Sequence, residues 1–217
     1  MTSRPRAARL QGLFVIADDN PRWSPGPVAQ ARAACEAGAA VVQLRAKRTT
    51  DRATLAMAAE IRGFTRATGT LFFVNDRFDL ALLADADGVH LGQDDLGPSS
   101  LPAALRERLL IGRSTHSLAQ ARTAHAEPVD YVAFGPVFET RSKDSPYEPL
   151  GLALLTEAVR SVAPRPVIAI GGIDLARAAA VVRAGAAGAA VISAVAGAPD
   201  PVSAARALVR ALEEGRR

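Results

Sequence analysis

The chain has 217 residues, 49% of them hydrophobic and 5% aromatic, with a formal net charge of +4. That length and apolar share suit one domain with a sizeable core. The arginines are scattered and no aromatics interleave with them, which argues against a nucleic-acid surface and for a small anionic ligand.

No run of about 18 apolar residues occurs, and the basic N-terminus lacks an uninterrupted apolar stretch before Asp18, so neither a membrane span nor an export signal is expected. A single cysteine, Cys35, lies in an Ala-rich stretch. It excludes an intrachain disulfide and fits a reducing cytoplasm. Of 26 basic residues only Lys47 and Lys143 are lysines. Where arginine fills nearly every basic position, a lysine is expected where a compact, strongly hydrated ammonium is required.

Residues 1–10 read as a flexible N-terminal extension. The first strand is predicted at 13–17 and the first helix at 28–37. Strand two, 41–44, runs into Gln43, Arg45 and Lys47, whose alternation projects all three to one face; an amphipathic strand end with solvated charges has the same pattern. After a helix at 51–68, strand three (71–75) ends in Asn75-Asp76, and after a helix at 78–84, strand four (88–91) leads into Gln93-Asp94-Asp95. Asp76 and Asp95 could share one hard cation such as Mg²⁺, or each could cap the helix that follows.

A helix is expected at 99–107 and a fifth strand at 110–113, leading to Ser114, Thr115 and His116. Hydroxyl and backbone N–H groups there could receive an anion, or Ser114 or Ser117 could cap the helix at 117–125. Strand six, 131–135, opens the longest irregular segment, 136–151, which carries Thr140, Ser142 and Lys143 and reads as functional. A helix at 152–162, strand seven (167–170) with Gly171-Gly172, a helix at 174–184, strand eight (189–193) ending in Ile192-Ser193, and a helix at 201–214 complete the chain. The glycine pair opposite a small hydroxyl residue lies where many barrels bind phosphate; a tight turn would also use glycine.

Eight strands alternating with helices imply parallel strands joined by crossovers. At this length they favour a single-domain α/β fold, the (β/α)8 TIM barrel, over an open doubly wound sheet. Chemistry is then expected at the strand C-termini, where the polar residues above fall and where two anionic ligands could sit.

Gln43-Leu44-Arg45-Ala46-Lys47, Asn75-Asp76, the run from Asp87 to Asp95, Gly135-Pro136-Val137-Phe138, Gly171-Gly172-Ile173 and Ile192-Ser193 together resemble the motifs of thiamine phosphate synthases over nearly the whole chain. That family joins an aminopyrimidine methyl diphosphate to a thiazole phosphate, releasing diphosphate. The resemblance implies that Gln43, Arg45, Lys47 and Asn75 hold the pyrimidine diphosphate and that Asp76 and Asp95 hold Mg²⁺. Lys143 and Ser114 would touch the diphosphate end, and Thr140, Ser142, Gly172, Ile192 and Ser193 the thiazole phosphate. Arg45, Lys47, Lys143 and Ser114 would be the catalytic set. It implies carbon–oxygen cleavage first, to a pyrimidine carbocation that the thiazole nitrogen attacks. Phosphorylated small molecules are thus the expected partners, without nucleic acid or membrane; the residues leave a homo-oligomer open.

Two other readings compete. The segment from Gly112 to Ser117 also resembles thiazole tautomerases, in which His116 would carry a proton; an isomerase has no use for the carboxylate pair. A non-catalytic phosphate-binding barrel would keep Gly172 and Ser193 but not the charge set.

Overall fold

The computed structural model describes residues 9–140 and 147–217. Eight parallel strands form one closed barrel in sequence order: β1 Gly12–Asp18, β2 Val41–Arg45, β3 Leu71–Asn75, β4 Gly88–Leu91, β5 Leu110–Thr115, β6 Tyr131–Phe134, β7 Val167–Ile170 and β8 Gly188–Val191. Closure is direct, with Phe14 of β1 registered against Val41 of β2 on one side and Ala190 of β8 on the other. Parallel neighbours require a crossover at every step, and the helices supply it.

Those helices are α1 Pro27–Glu36, α2 Asp51–Thr68, α3 Phe78–Leu83, α4 Ala103–Arg108, α5 Leu118–Ala126, α6 Gly151–Val162, α7 Leu175–Arg183, α8 Ser193–Ala196 and α9 Pro201–Glu214. Their starts follow local chemistry. Thr50, Ser117, Asp174 and Asp200 accept backbone N–H bonds as N-caps of α2, α5, α7 and α9.

Alternation along each strand sorts side chains into two cores. Leu13, Val15 and Ala17 join the helix-facing shell, whereas Phe14, Ile16, Val41, Leu71, Phe73, Leu110, Tyr131, Ala133 and Ile168 fill the barrel interior. Large rings fit there because glycines face them: a Cβ on Gly112 would come within 2.2 Å of the Tyr131 ring. Leu10 also belongs to the interior core and is buried, so the barrel's packing begins before the proposed extension ends.

The segment expected as a helix at 99–107 breaks in two. Pro98–Ser100 forms a 3₁₀ turn, Leu101 is extended (φ −73°, ψ 138°), and α4 begins only after Pro102. Proline disfavours the helical conformation in the residue before it. Strand eight ends at Val191 instead of Ser193, and Ser193 opens the short helix α8, which is too brief for periodicity to betray. Among the described residues no helix is long and apolar enough to cross a membrane.

Candidate active site

The loops after β2, β3 and β4 bring the first cluster together at the C-terminal face of the barrel. Gln43 is buried and points inward, donating from Nε2 to Asn75 Oδ1 at 2.7 Å. Arg45, at the end of β2, bonds Asp18 Oδ2 at 2.8 Å. Lys47 stands two residues beyond the strand, and its ammonium forms an ion pair with Asp76. Its backbone N–H, with that of Arg48, is held by the Asp19 carboxylate at 3.0 and 2.7 Å. Each of the three side chains thus has a polar partner, although Lys47 remains half exposed.

Asp76 adopts φ +63°, a left-handed conformation that Asp tolerates better than most residues. Its N–H bonds the His90 carbonyl at 2.7 Å, which anchors this turn to β4. Asp95 accepts the Gly92 N–H at 2.6 Å and lies in contact with Asp76. Neither carboxylate caps a helix: Arg77 precedes α3 without a side-chain cap, and Gly97 and Pro102 precede the next two turns. Burial pushes the Asp76 carboxyl above the usual range; Lys47 pulls it down, and Asp95 raises it again.

Two hard carboxylates in contact repel unless a proton or a cation lies between them. Among the described residues no cluster of three or more His, Cys, Asp or Glu exists. A donor set of two carboxylates, open to ligand phosphates and water, fits Mg²⁺, which is reluctant to lose all its waters.

The second cluster lies across the mouth. Ser114, His116, Gly135, Pro136, Thr140, Gly172, Ile192 and Ser193 help line a cavity of about 80 Å³. Gly172 (φ +62°) must be glycine, because a Cβ would lie 2.3 Å from the Glu139 carbonyl oxygen. The chain after β6 runs alongside the end of β7, with Phe138 N–H bonding Gly171 O at 3.1 Å. Arg177 Nη1 bonds the Gly172 carbonyl at 2.7 Å while its guanidinium covers the Phe138 ring. Behind Ser193 the short helix α8 turns on Ile192, whose carbonyl accepts the Val195 and Ala196 N–H groups at 3.1 and 2.9 Å. Ile170 and Ala190 border both this cavity and the interior one that Gln43 and His90 line, so the two cavities are neighbours.

Ser142 and Lys143 lie outside the described residues. The two ends of their segment are joined, Leu150 N–H to Pro136 O at 2.8 Å and Gly151 N–H to Val137 O at 3.0 Å. Tyr147 stacks on His116, with ring centroids 3.8 Å apart and planes 12° from parallel, and His116 Nδ1 meets the Gly135 carbonyl at 2.6 Å. Ser117, not Ser114, caps α5.

Four contributors escaped the sequence reading. Asp18 orients Arg45. Arg113 reaches the Gly92 carbonyl at 2.6 Å and so steadies the turn that carries Asp95. His90 and Tyr131 stand behind Ser114. A polar residue at a strand's end was the available signal for Asp18 and Arg113; Tyr131 offered none.

Fold and site together define a (β/α)8-barrel enzyme whose mouth suits phosphorylated small molecules. The family model described as thiamine monophosphate synthase matches residues 13–195. A thiamine-phosphate synthase of Anaeromyxobacter dehalogenans is 51% identical over 215 residues, covering 99% of this chain and 93% of that one. The one from Myxococcus xanthus is 42% identical over 214 residues, covering 99% and 97%. The solved thiamine phosphate pyrophosphorylase of Pyrococcus furiosus superposes with a TM-score of 0.85 at 38% identity, covering 96% of this chain and 98% of that one. The chain belongs to the thiamine monophosphate synthase family.

Proposed function

We infer that this barrel is a transferase of thiamine biosynthesis, joining 4-amino-2-methyl-5-(diphosphooxymethyl)pyrimidine to 4-methyl-5-(2-phosphoethyl)thiazole to give thiamine phosphate and diphosphate, or to its carboxylated precursor with carbon dioxide released as well. The observation that carries the residue assignment is the Lys47–Asp76–Asp95 contact, which sets an ammonium and two carboxylates beside each other on one wall of the mouth. Ligands there would be a diphosphate and its cation.

On this reading Gln43 and Asn75 hold the pyrimidine end, with Arg45, Lys47, Ser114 and Lys143 on the diphosphate. Asp76 and Asp95 would hold Mg²⁺, which when bound supplies positive charge against the departing diphosphate. Thr140, the backbone at Gly172 and Ile192, and Ser193, which share the second cavity, take the thiazole phosphate, a role that Ser142 would share.

The carbon–oxygen bond to the diphosphate breaks and its electron pair leaves with the diphosphate, leaving a carbocation that the pyrimidine amino group stabilises. The thiazole nitrogen lone pair then forms the new carbon–nitrogen bond. No proton is abstracted for that attack, so the reading asks no residue of the site to act as a general base. Arg45, Lys47 and Lys143 act by stabilising charge that grows on the leaving group, and preorganised charges of this kind are worth about 10²-fold or more in rate each. Asp18 holds Arg45 in one orientation, so that it need not reorganise during bond cleavage. Its partners would be the two phosphorylated substrates, and its place the cytoplasm, in keeping with a buried, free Cys35.

The test is diphosphate release from the pyrimidine substrate, with the thiazole phosphate and Mg²⁺ each present or absent. Release that requires both is the expected result. Binding of both ligands without release overturns the reading.

A further inference from the structure

Beneath Ser114 a line of polar side chains crosses the largely apolar barrel interior. Tyr131 is buried, its ring edge-on to Phe14 and Phe73 with centroids 5.5 and 5.9 Å away, and seated over the bare Cα of Gly112. That clamp fixes where the hydroxyl can be. It lies 2.7 Å from His90 Nδ1, and His90 Nε2 lies 2.8 Å from Ser114 Oγ.

The direction of the hydrogen bonds follows from the phenol. Burial pushes the Tyr131 pKa up, so the O–H keeps its proton. Among the described residues His90 Nδ1 is the hydrogen-bond partner of that hydroxyl, and a buried O–H is costly to leave without an acceptor. Nδ1 therefore accepts, and the imidazole carries its proton on Nε2. Nε2–H donates to Ser114 Oγ, which leaves the serine's own hydrogen to point away from His90, toward the mouth.

We propose that Tyr131 and His90 are positioning residues that make Ser114 a one-way hydrogen-bond donor, so that this point of the site receives an acceptor atom of the ligand, such as a diphosphate oxygen, and disfavours a donor. The proposal rests on the reading of Ser114 as a contact of the pyrimidine diphosphate. It assigns a role to two side chains that act on the diphosphate end through Ser114, and it gives the barrel's inner packing a chemical consequence. Phe14, Phe73 and Gly112 hold the phenol, the phenol sets the imidazole tautomer, and the tautomer aims the serine.

Nitrogen-15 NMR of the full-length protein, with the His90 signals assigned by their loss in His90→Gln, reads the tautomer directly. A proton on Nε2 and none on Nδ1 is expected; a proton on Nδ1 overturns the relay without reference to activity. Tyr131→Phe keeps the ring and removes only the donor. It should lower kcat about three- to tenfold, the size of one hydrogen bond, and leave KM for the thiazole phosphate unchanged. In a Ser114→Ala background the same change should have a factor near one, because the relay acts through that serine. An equal loss in both backgrounds makes Tyr131 a general packing residue and overturns the proposal. Wild-type turnover in Ser114→Ala refutes the contact assigned to Ser114 and the relay's function with it. A crippled Ser114→Ala enzyme whose His90 carries its proton on Nδ1 refutes the relay alone.

Discussion

The Lys47 ammonium pairs with the Asp76 carboxylate across the gap between the loops that follow β2 and β3. Asp95 approaches the same carboxylate from the loop after β4. Three successive βα loops therefore converge on one point, and the charges there oppose one another: burial and Asp95 disfavour ionised Asp76, while Lys47 favours it.

Lys47→Ala should lower kcat by about 10²-fold. It should also raise the Mg²⁺ concentration needed for half-maximal rate, because Asp76 would lose the neighbour that keeps it ionised, and a ligand carboxylate must be deprotonated to bind metal. Steady-state rates across a Mg²⁺ titration check both. Lys47→Arg should rescue poorly, since a planar guanidinium does not replace a compact ammonium.

Asp95→Asn should abolish most turnover yet stabilise the metal-free barrel by about 0.5–1 kcal/mol, the usual trade between a charged site and stability. The Asp76 pKa is raised on folding, so ionising it costs stability that appears as the pH climbs from its unfolded value to its folded one. The variant's advantage is thus expected at neutral pH and should vanish as the pH falls below the unfolded value. Thermal unfolding without Mg²⁺ across that range is the measurement.

Gly172→Ala forces a Cβ to within 2.3 Å of the Glu139 carbonyl at a left-handed backbone position. We expect about 1–3 kcal/mol of destabilisation. KM for the thiazole phosphate should rise tenfold or more (~10-fold for each 1.4 kcal/mol lost), with KM for the pyrimidine diphosphate nearly unchanged. Equal changes in both KM values would place Gly172 outside the thiazole phosphate wall.

Asp87 lies within a family motif but away from the mouth. It accepts Arg62 Nη1 at 2.8 Å and the Phe72 N–H at 3.0 Å, joining α2 to β3. Asp87→Ala should cost about 3–5 kcal/mol, as expected when a mostly buried charge loses its partner. The more exposed Arg77 fork onto Asp51 and Asp79 should cost less than about 1 kcal/mol when truncated. Denaturant unfolding separates the two, while turnover per folded Asp87→Ala molecule should be retained.

His116→Ala should leave kcat for thiamine phosphate formation within about threefold, at the low end of what an aromatic contact contributes. The ring's stack on Tyr147 and its bond to the Gly135 carbonyl place it among the supports of the segment after β6. A severe loss would move His116 into proton transfer.

Much of this enzyme is readable residue by residue. The strand runs from Leu13 to Val191 announce a parallel barrel because they are short, mostly apolar and alternate with helical stretches. Lys47, Asp76, Gly172 and Ser193 stand out because polar or bare residues at the ends of such strands must face the mouth. The break at Leu101 is legible too, since Pro102 disfavours a helical conformation in the residue before it.

What linear order could not express is which of several legitimate partners each polar group takes. Asp76 and Asp95 satisfy the rules for helix caps as well as those for a cation pair; closure of β3 against β4 brings them together, and neither caps a helix. Tyr131, His90 and Ser114 are far apart in sequence and share no motif, and they meet because β4, β5 and β6 lie in one register around a common axis. Periodicity is a property of neighbours along the chain, and so it specifies the strands and their inward faces. Hydrogen-bond direction, carboxylate contact and the fit of a phenol over Gly112 depend on distances between strands, which exist only once the barrel has closed.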